Sequence, residues 1–221
     1  CMMGVQLKGA HDKLTAVIKG GGPVGSIVCT AYPSGQVKGY IDDPAVELPL
    51  TPDNKLDVSM AVGWFGDLTV IRDMGLKEPY VGRCNLVSGE IAEDFAQYFT
   101  ASEQQPSLVY LGVHVQPESG RVLSAAGLIL QPLPHCPGET LDMLDSCAKG
   151  IGCLAGILEK EPLFTALPGL FPGMGLRVTD TQTPVYRCDC SRERLEQVLL
   201  SMGAAELNDM IEKDGGAELT C

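Results

Sequence analysis

The sequence predicts an α+β fold in three parts: an N-terminal mixed α/β core over residues 1–134, a helical linker over 135–187, and a small C-terminal cysteine-bearing module over 188–221. Three observations predict it. Short apolar segments broken by Gly and Pro fill the N-terminal region, with one amphipathic run at helical spacing among them. Beyond Pro134 glycines interrupt the apolar period. Last, Cys188-Asp189-Cys190 precedes two short helical runs that return to Cys221.

The first strands read as Leu14-Thr15-Ala16-Val17-Ile18, residues 25–31, and Val37-Lys38-Gly39-Tyr40-Ile41, with turns at Gly20-Gly21-Gly22-Pro23 and Pro33-Ser34-Gly35. The triple glycine shares only composition with a phosphate cradle. No helix pattern and no Gly-Lys-Ser/Thr ending follow it, so it reads as a turn. Residues 67–72 give a further strand. Ser88-Gly89-Glu90 opens a helix with Ser88 as N-cap, and Ile91, Phe95, Tyr98 and Phe99 line one face of it as a core stripe. Gln105-Pro106 ends that helix. A hairpin follows over 107–115 and 121–131, joined by 116–120.

The linker opens on His135-Cys136-Pro137-Gly138 and carries Leu141, Leu144, Ile151, Leu154 and Leu158 on a mildly amphipathic helical stretch. Gly150, Gly152 and Gly156 interrupt it, each costing about 1 kcal/mol relative to alanine inside a helix. Such a helix depends on docking to its neighbours. Residues 167–176 are apolar but hold too many Pro and Gly to be regular. They read as a loop clamped on the core or as apolar surface kept covered by a weak linker.

In the module, Ser191 caps a helix with Leu195, Val198, Leu199 and Met202, closed by Gly203. A second helix with Leu207, Met210 and Ile211 is closed by Gly215-Gly216. Helices this short are marginal in water, so a bound metal would account for folding of the module.

With 221 residues, 45% of them apolar, the chain can bury a substantial core. Its net charge of −12 argues against nucleic acid and anionic membrane surfaces as partners, because phosphate binding needs clustered Lys and Arg. No apolar run reaches the roughly 18 residues of a membrane span. Nine cysteines raise the possibility of a secreted disulfide scaffold, which a core of this size does not need. The chain opens on Cys1 without a signal-peptide pattern and is expected to be a piece of a longer protein.

Zinc takes four N or S ligands in a tetrahedron. Cys188 and Cys190 offer two sulfurs from one turn, and Cys221 returns a third across the helical excursion. A structural site needs one ligand more. A catalytic zinc would hold water there, although such sites rely on His or carboxylate in a cleft. Over residues 185–221 four basic residues stand against eight acidic ones, the wrong sign for a ribbon that grips nucleic acid. Thiolates also permit a switch, since oxidation removes the metal and with it the folding energy of the module. The alternative is a constitutive structural site.

His11, His114 and His135 are the only histidines and show no ligand-like spacing; His114 reads as a packed strand residue. No Gly-x-Ser-x-Gly or nucleotide fingerprint occurs, so an enzyme is not expected. Cys136, Cys147 and Cys153 read as small apolar residues of the linker, with extra redox sensitivity as the alternative. Cys29 and Cys84 read as structural.

Glu78-Pro79-Tyr80-Val81-Gly82, residues 86–94, Ser102-Glu103-Gln104-Gln105-Pro106, Cys188-Asp189-Cys190-Ser191-Arg192-Glu193-Arg194 and residues 214–221 together resemble the heat-shock protein 33 family. The resemblance covers nearly the whole chain, and its Cys-x-Cys-Ser-Arg-Glu-Arg run is highly specific. It implies a redox-regulated holdase chaperone of the bacterial cytoplasm, inactive when four reduced cysteines bind one Zn2+. Carried onto this sequence, Cys188 and Cys190 are zinc ligands and pair as a disulfide on oxidation. Cys221 is the third ligand, and its partner would lie three residues beyond the chain end. The resemblance further implies zinc release, unfolding of module and linker, exposure of apolar surface to unfolding client proteins, and homodimers in the activated state. The rival expectation is a constitutive zinc-stabilised protein-interaction module without redox switching.

Overall fold

Strand β1 (Lys13–Lys19) buries Leu14, Ala16 and Ile18 and turns Thr15 and Val17 the other way, the period-two pattern of a half-buried strand. It lies inside a six-stranded sheet in a computed structural model that describes residues 1–47, 50–52, 55–116 and 119–216. β2 (Ser26–Ala31), β3 (Gln36–Ile41), β4 (Asp67–Asp73) and β5 (Tyr80–Asn85) join it as antiparallel neighbours in the order β5-β4-β1-β2-β3. The four expected strands end within a residue of where alternation placed them. The triple glycine is a turn as expected, and Gly22 N–H donates to Val62 O at 2.9 Å where it crosses the one-turn helix α1 (Val58–Val62).

β5 has no alternation to announce it. Tyr80 and Val81 are exposed, and its one buried residue is Gly82. A side chain there is excluded, since a Cβ would stand 2.7 Å from the Tyr98 hydroxyl.

Helix α2 (Ile91–Ala101) carries the apolar stripe into the core, where Tyr98 and Phe99 meet Leu14, Ala16 and Ile18 of β1 and Leu68 and Val70 of β4. Its N-cap is Glu90, not Ser88. The Ser88 hydroxyl instead accepts the Glu90 N–H at 3.1 Å, and the buried Asp94 carboxylate accepts Val87 and Ser88 N–H at 2.7 and 3.2 Å. The helix ends at Ala101, before Gln105-Pro106, because the chain turns through Gln104 at φ 55°. Glu103 holds this corner. It accepts the Tyr98 hydroxyl at 2.5 Å and both Arg72 guanidinium nitrogens at 2.9 and 3.0 Å. Burial, then the bond to Glu103, raise the Tyr98 hydroxyl above its usual range.

β6 (Leu108–Val115) and β7 (Val122–Leu130) form the expected antiparallel hairpin as a separate two-stranded sheet. Its alternation gives it two working faces. Val109 and Ile129 close the core from one side, with α2 packed between them and the main sheet. Leu108, Tyr110, Ala126, Leu128 and Leu130 point to the other.

The linker consists of α3 (Gly138–Ile151), α4 (Leu154–Lys160) and α5 (Leu163–Leu170). One helical stretch was expected over α3 and α4; it breaks at Gly152-Cys153. The 167–176 segment is less irregular than its composition suggests. α5 runs to Leu170 with Pro168 in its last turn, and only the residues from Phe171 onward leave the helix. Pro168 has no N–H to donate to Phe164 O, and α5 closes past it with the Phe171 N–H on Leu167 O at 3.0 Å.

After an exposed stretch, β8 (Val185–Tyr186) pairs in parallel with Gln36 and Val37 of β3. The module follows as α6 (Arg192–Met202) and α7 (Ala204–Asp214), packed on each other as the two expected helices. Gly215 closes α7 in the left-handed region at φ 72°. Among the described residues of 188–216 none is buried, and Val198, Leu200 and Ile211 are exposed.

Candidate thiol site and covered apolar face

Cys188 and Cys190 lie in the exposed turn that joins β8 to α6. The backbone N–H of Cys190 donates to Cys188 Sγ at 3.4 Å. Asp189 between them forms an ion pair with Lys38 on β3. That carboxylate holds the Lys38 ammonium above its usual range. Ser191 leads directly into α6, its carbonyl accepting the Leu195 N–H at 3.1 Å. Glu193, held by its own backbone N–H and by the Ser191 hydroxyl, sits below the usual carboxylate range.

Zinc coordination asks for sulfurs free of other bonds and able to lose their protons. Two exposed thiols one residue apart, one of them accepting a backbone N–H, suit two corners of such a site. Among the described residues no group of three or more His, Cys, Asp or Glu is gathered as a metal cage. Cys221, the third sequence candidate, lies outside the described residues. Lys38 is the partner that sequence reasoning missed, since nothing in the chain announces an ion pair across 151 positions.

The second feature is the outer face of the hairpin. Ile151, Leu154, Ala166 and Leu170 from the three linker helices, with Phe171 just after them, are buried over Leu108, Tyr110, Ala126, Leu128 and Leu130. Few polar bonds secure them. Ser124 Oγ donates to Ala155 O at 2.6 Å, and the Tyr110 hydroxyl meets Gly152 O and Ala155 N at 3.4 and 3.5 Å. No side chain caps the N-terminus of α3, α4 or α5, whose caps are Pro137, Cys153 and Pro162. Uncapped short helices with an internal break draw their order from packing alone.

His114 is not packed in its strand. Its side chain is half exposed, and Nδ1 lies 2.6 Å from Glu159 of α4, another tie between hairpin and linker. Of the linker cysteines, Cys147 packs against the buried cluster, whereas Cys153 is exposed at the α3–α4 break. Cys84 packs on the core, and burial raises its thiol above the usual range; Cys29 is exposed on β2.

A family model described as Hsp33 protein matches residues 1–221. The chain belongs to the Hsp33 family. Hsp33 is a chaperone family, and the curated relatives are named 33 kDa chaperonin. The 33 kDa chaperonin of Thermoanaerobacter sp. (strain X514) is 44% identical over 221 residues, covering 100% of this chain and 75% of its own length. That of Alkaliphilus oremlandii is 45% identical over 224 residues, covering 100% and 74%. The crystal structure of the 33 kDa chaperonin (heat shock protein 33 homolog) from Thermotoga maritima superposes with a TM-score of 0.79 at 36% identity. It covers 95% of this chain and 71% of that one. The mixed α+β architecture described above is therefore the Hsp33 fold. Among the described residues, no helix is long and apolar enough to cross a membrane.

Proposed function

We propose that this Hsp33 chain is a redox-regulated holdase whose client surface includes the hairpin face now under the linker. The observation that carries the reading is the two-sided hairpin: a continuous apolar face, Leu108, Tyr110, Ala126, Leu128 and Leu130, covered by helices without side-chain N-cap bonds and tied to it by few polar contacts. A cover of this kind opens at low cost, and what it exposes suits unfolded polypeptide.

Cys188, Cys190 and Cys221, with a cysteine beyond the chain end, would hold Zn2+ in the reduced state. The metal would supply the folding energy that the solvent-exposed α6–α7 pair does not draw from burial. On oxidation the Cys188 and Cys190 thiolates give up two electrons to a peroxide, which takes two protons from solvent and leaves as two waters, and an S–S bond joins the sulfurs as the metal is released. A disulfide draws the sulfurs to about 2.05 Å and re-aims the residue between them. That residue is Asp189, the carboxylate bound to Lys38. Loss of metal and of this tie releases the module, the exposed stretch with β8 before it and then the linker. Unfolding cytoplasmic proteins are the clients, and the activated form is a homodimer.

Peroxide with mild heat, applied to the full-length protein, tests this. Zinc release measured with a chromogenic chelator should accompany the appearance of aggregation suppression toward a heat-denatured test protein. Oxidised protein that keeps its zinc and fails to keep the test protein soluble would overturn the reading. A Cys188→Ser, Cys190→Ser variant that loses zinc without any change in client binding would support a constitutive zinc-stabilised module instead.

A further inference from the structure

An extended segment is already seated on the outer edge of the main sheet. Val185 N–H donates to Gly35 O at 3.0 Å and Arg187 N–H to Val37 O at 2.9 Å. The Tyr186 hydroxyl donates to Gly39 O at 2.9 Å, and Gln36 Nε2 donates back to Arg187 O at 3.1 Å. Each of these four bonds ends on a backbone carbonyl. Three of the acceptors, at 35, 37 and 39, form a row along one side of β3. Only Gln36 and Val37 are paired with β8, so the remainder of β3 stays an open edge among the described residues.

The strap occupying this edge is weakly held. Described residues 175–193 are all exposed, Val185 at 50% and Tyr186 at 72%, so little apolar area keeps it down. It runs directly into Cys188-Asp189-Cys190, where Asp189 forms the ion pair with Lys38 of β3. A rearrangement of the thiol turn thus acts on the strap at a distance of one or two residues.

We infer that the β3 edge, residues 35–41, is a second client-binding element: once the strap leaves, an extended segment of an unfolded polypeptide adds there as the next strand. This rests on the redox-chaperone reading above. The occupant follows from the recognition chemistry. A row of carbonyls along a strand reads main-chain N–H groups, which every unfolded chain presents whatever its side chains. It therefore suits partners that share no sequence, which apolar burial on the hairpin face would complement. Among the described residues no strand pairs with the opposite edge, β5, whose exposed Arg83 pairs with Asp67 of the neighbouring β4 at 2.9 Å.

The test uses the peroxide-treated full chain and two synthetic peptides. One spans residues 181–187, Thr-Gln-Thr-Pro-Val-Tyr-Arg; the other is the same peptide N-methylated at Val185 and Arg187, the two amides that donate to β3. In excess, the first should lower capture of a denatured test protein several-fold, and the second should be at least tenfold less effective. Amide exchange over 36–41 should rise on oxidation and fall again when client binds. Oxidised protein that still suppresses aggregation but responds to neither peptide, or equally to both, overturns the edge proposal alone. So does protection at 36–41 that client leaves unchanged, or that returns without client as the chain dimerises, which would assign the edge to a second copy. Oxidised protein that suppresses no aggregation overturns the redox-chaperone reading itself.

Discussion

Leu154→Ala should open the linker without an oxidant. Leu154 is 2% exposed at the first position of α4 and belongs to the linker cluster with Ile151, Ala166, Leu170 and Phe171, not to the core around Leu68 and Tyr98. Truncating a buried leucine to alanine costs about 2–5 kcal/mol. At about 1.4 kcal/mol per tenfold, the open population of the linker rises about 30-fold to several thousand-fold. Little nearby can absorb the loss, because α4 follows a helix break and lacks a side-chain cap. Under reducing conditions amide exchange over 138–171 should accelerate by that factor, and the variant should suppress aggregation before any peroxide is added. Leu68→Ala, truncating a 0% exposed residue of the other cluster, is the control. It should lower global stability without selective opening of the linker. If Leu154→Ala leaves exchange over 138–171 unchanged, or accelerates core and linker alike, the linker is not an independently docked cover.

Three further outcomes follow from the core. Tyr98→Phe deletes a buried hydroxyl bonded to the Glu103 carboxylate, and should lower stability in urea by about 1.5–3 kcal/mol with an unchanged m-value. Asp94→Ala orphans the Val87 and Ser88 N–H groups at a cost of about 1–3 kcal/mol each, seen as a lower Tm, while Asp94→Asn keeps an acceptor and should recover part of it. Asp42 and Asp73 are held below 3.8, chiefly by the backbone N–H groups of Ser26 and Gly75 respectively. Their folded state binds protons less readily than the unfolded chain, so their contribution is present above pH 3.8 and lost as pH falls through the lower folded values. Tm should therefore drop on acidification, and less steeply in Asp42→Asn, Asp73→Asn protein.

Much of the core was legible because one face of each strand is buried. Leu14, Ala16 and Ile18 alternate as a strand must, and Tyr98 and Phe99 stand where a helical stripe requires. β5 escaped because its buried position is a glycine, and α2 began two residues later than its Ser88 suggested because Gly89, at φ 77°, is not helical, although Ser88 Oγ still accepts the Glu90 N–H. The linker's dependence on docking could be read from its glycines, but not the surface it docks to. The hairpin alternates on both faces, and sequence does not say which meets the core. The Cys188–Cys190 turn was plain from spacing. Its anchorage was not, since β8 is two exposed residues whose partners lie near residue 36. Nor did a histidine inside an alternating strand reveal that His114 reaches outward to Glu159.

Amide exchange over residues 138–171 and over the hairpin, before and after peroxide, tests the central claim most directly. Exchange over 138–171 should be slow in reduced protein and fast in oxidised protein, with the hairpin strands retained, and should not change in a Cys188→Ser, Cys190→Ser variant exposed to the same peroxide. Protection over 138–171 that survives oxidation, in protein that nonetheless keeps a denatured client soluble, would contradict that claim.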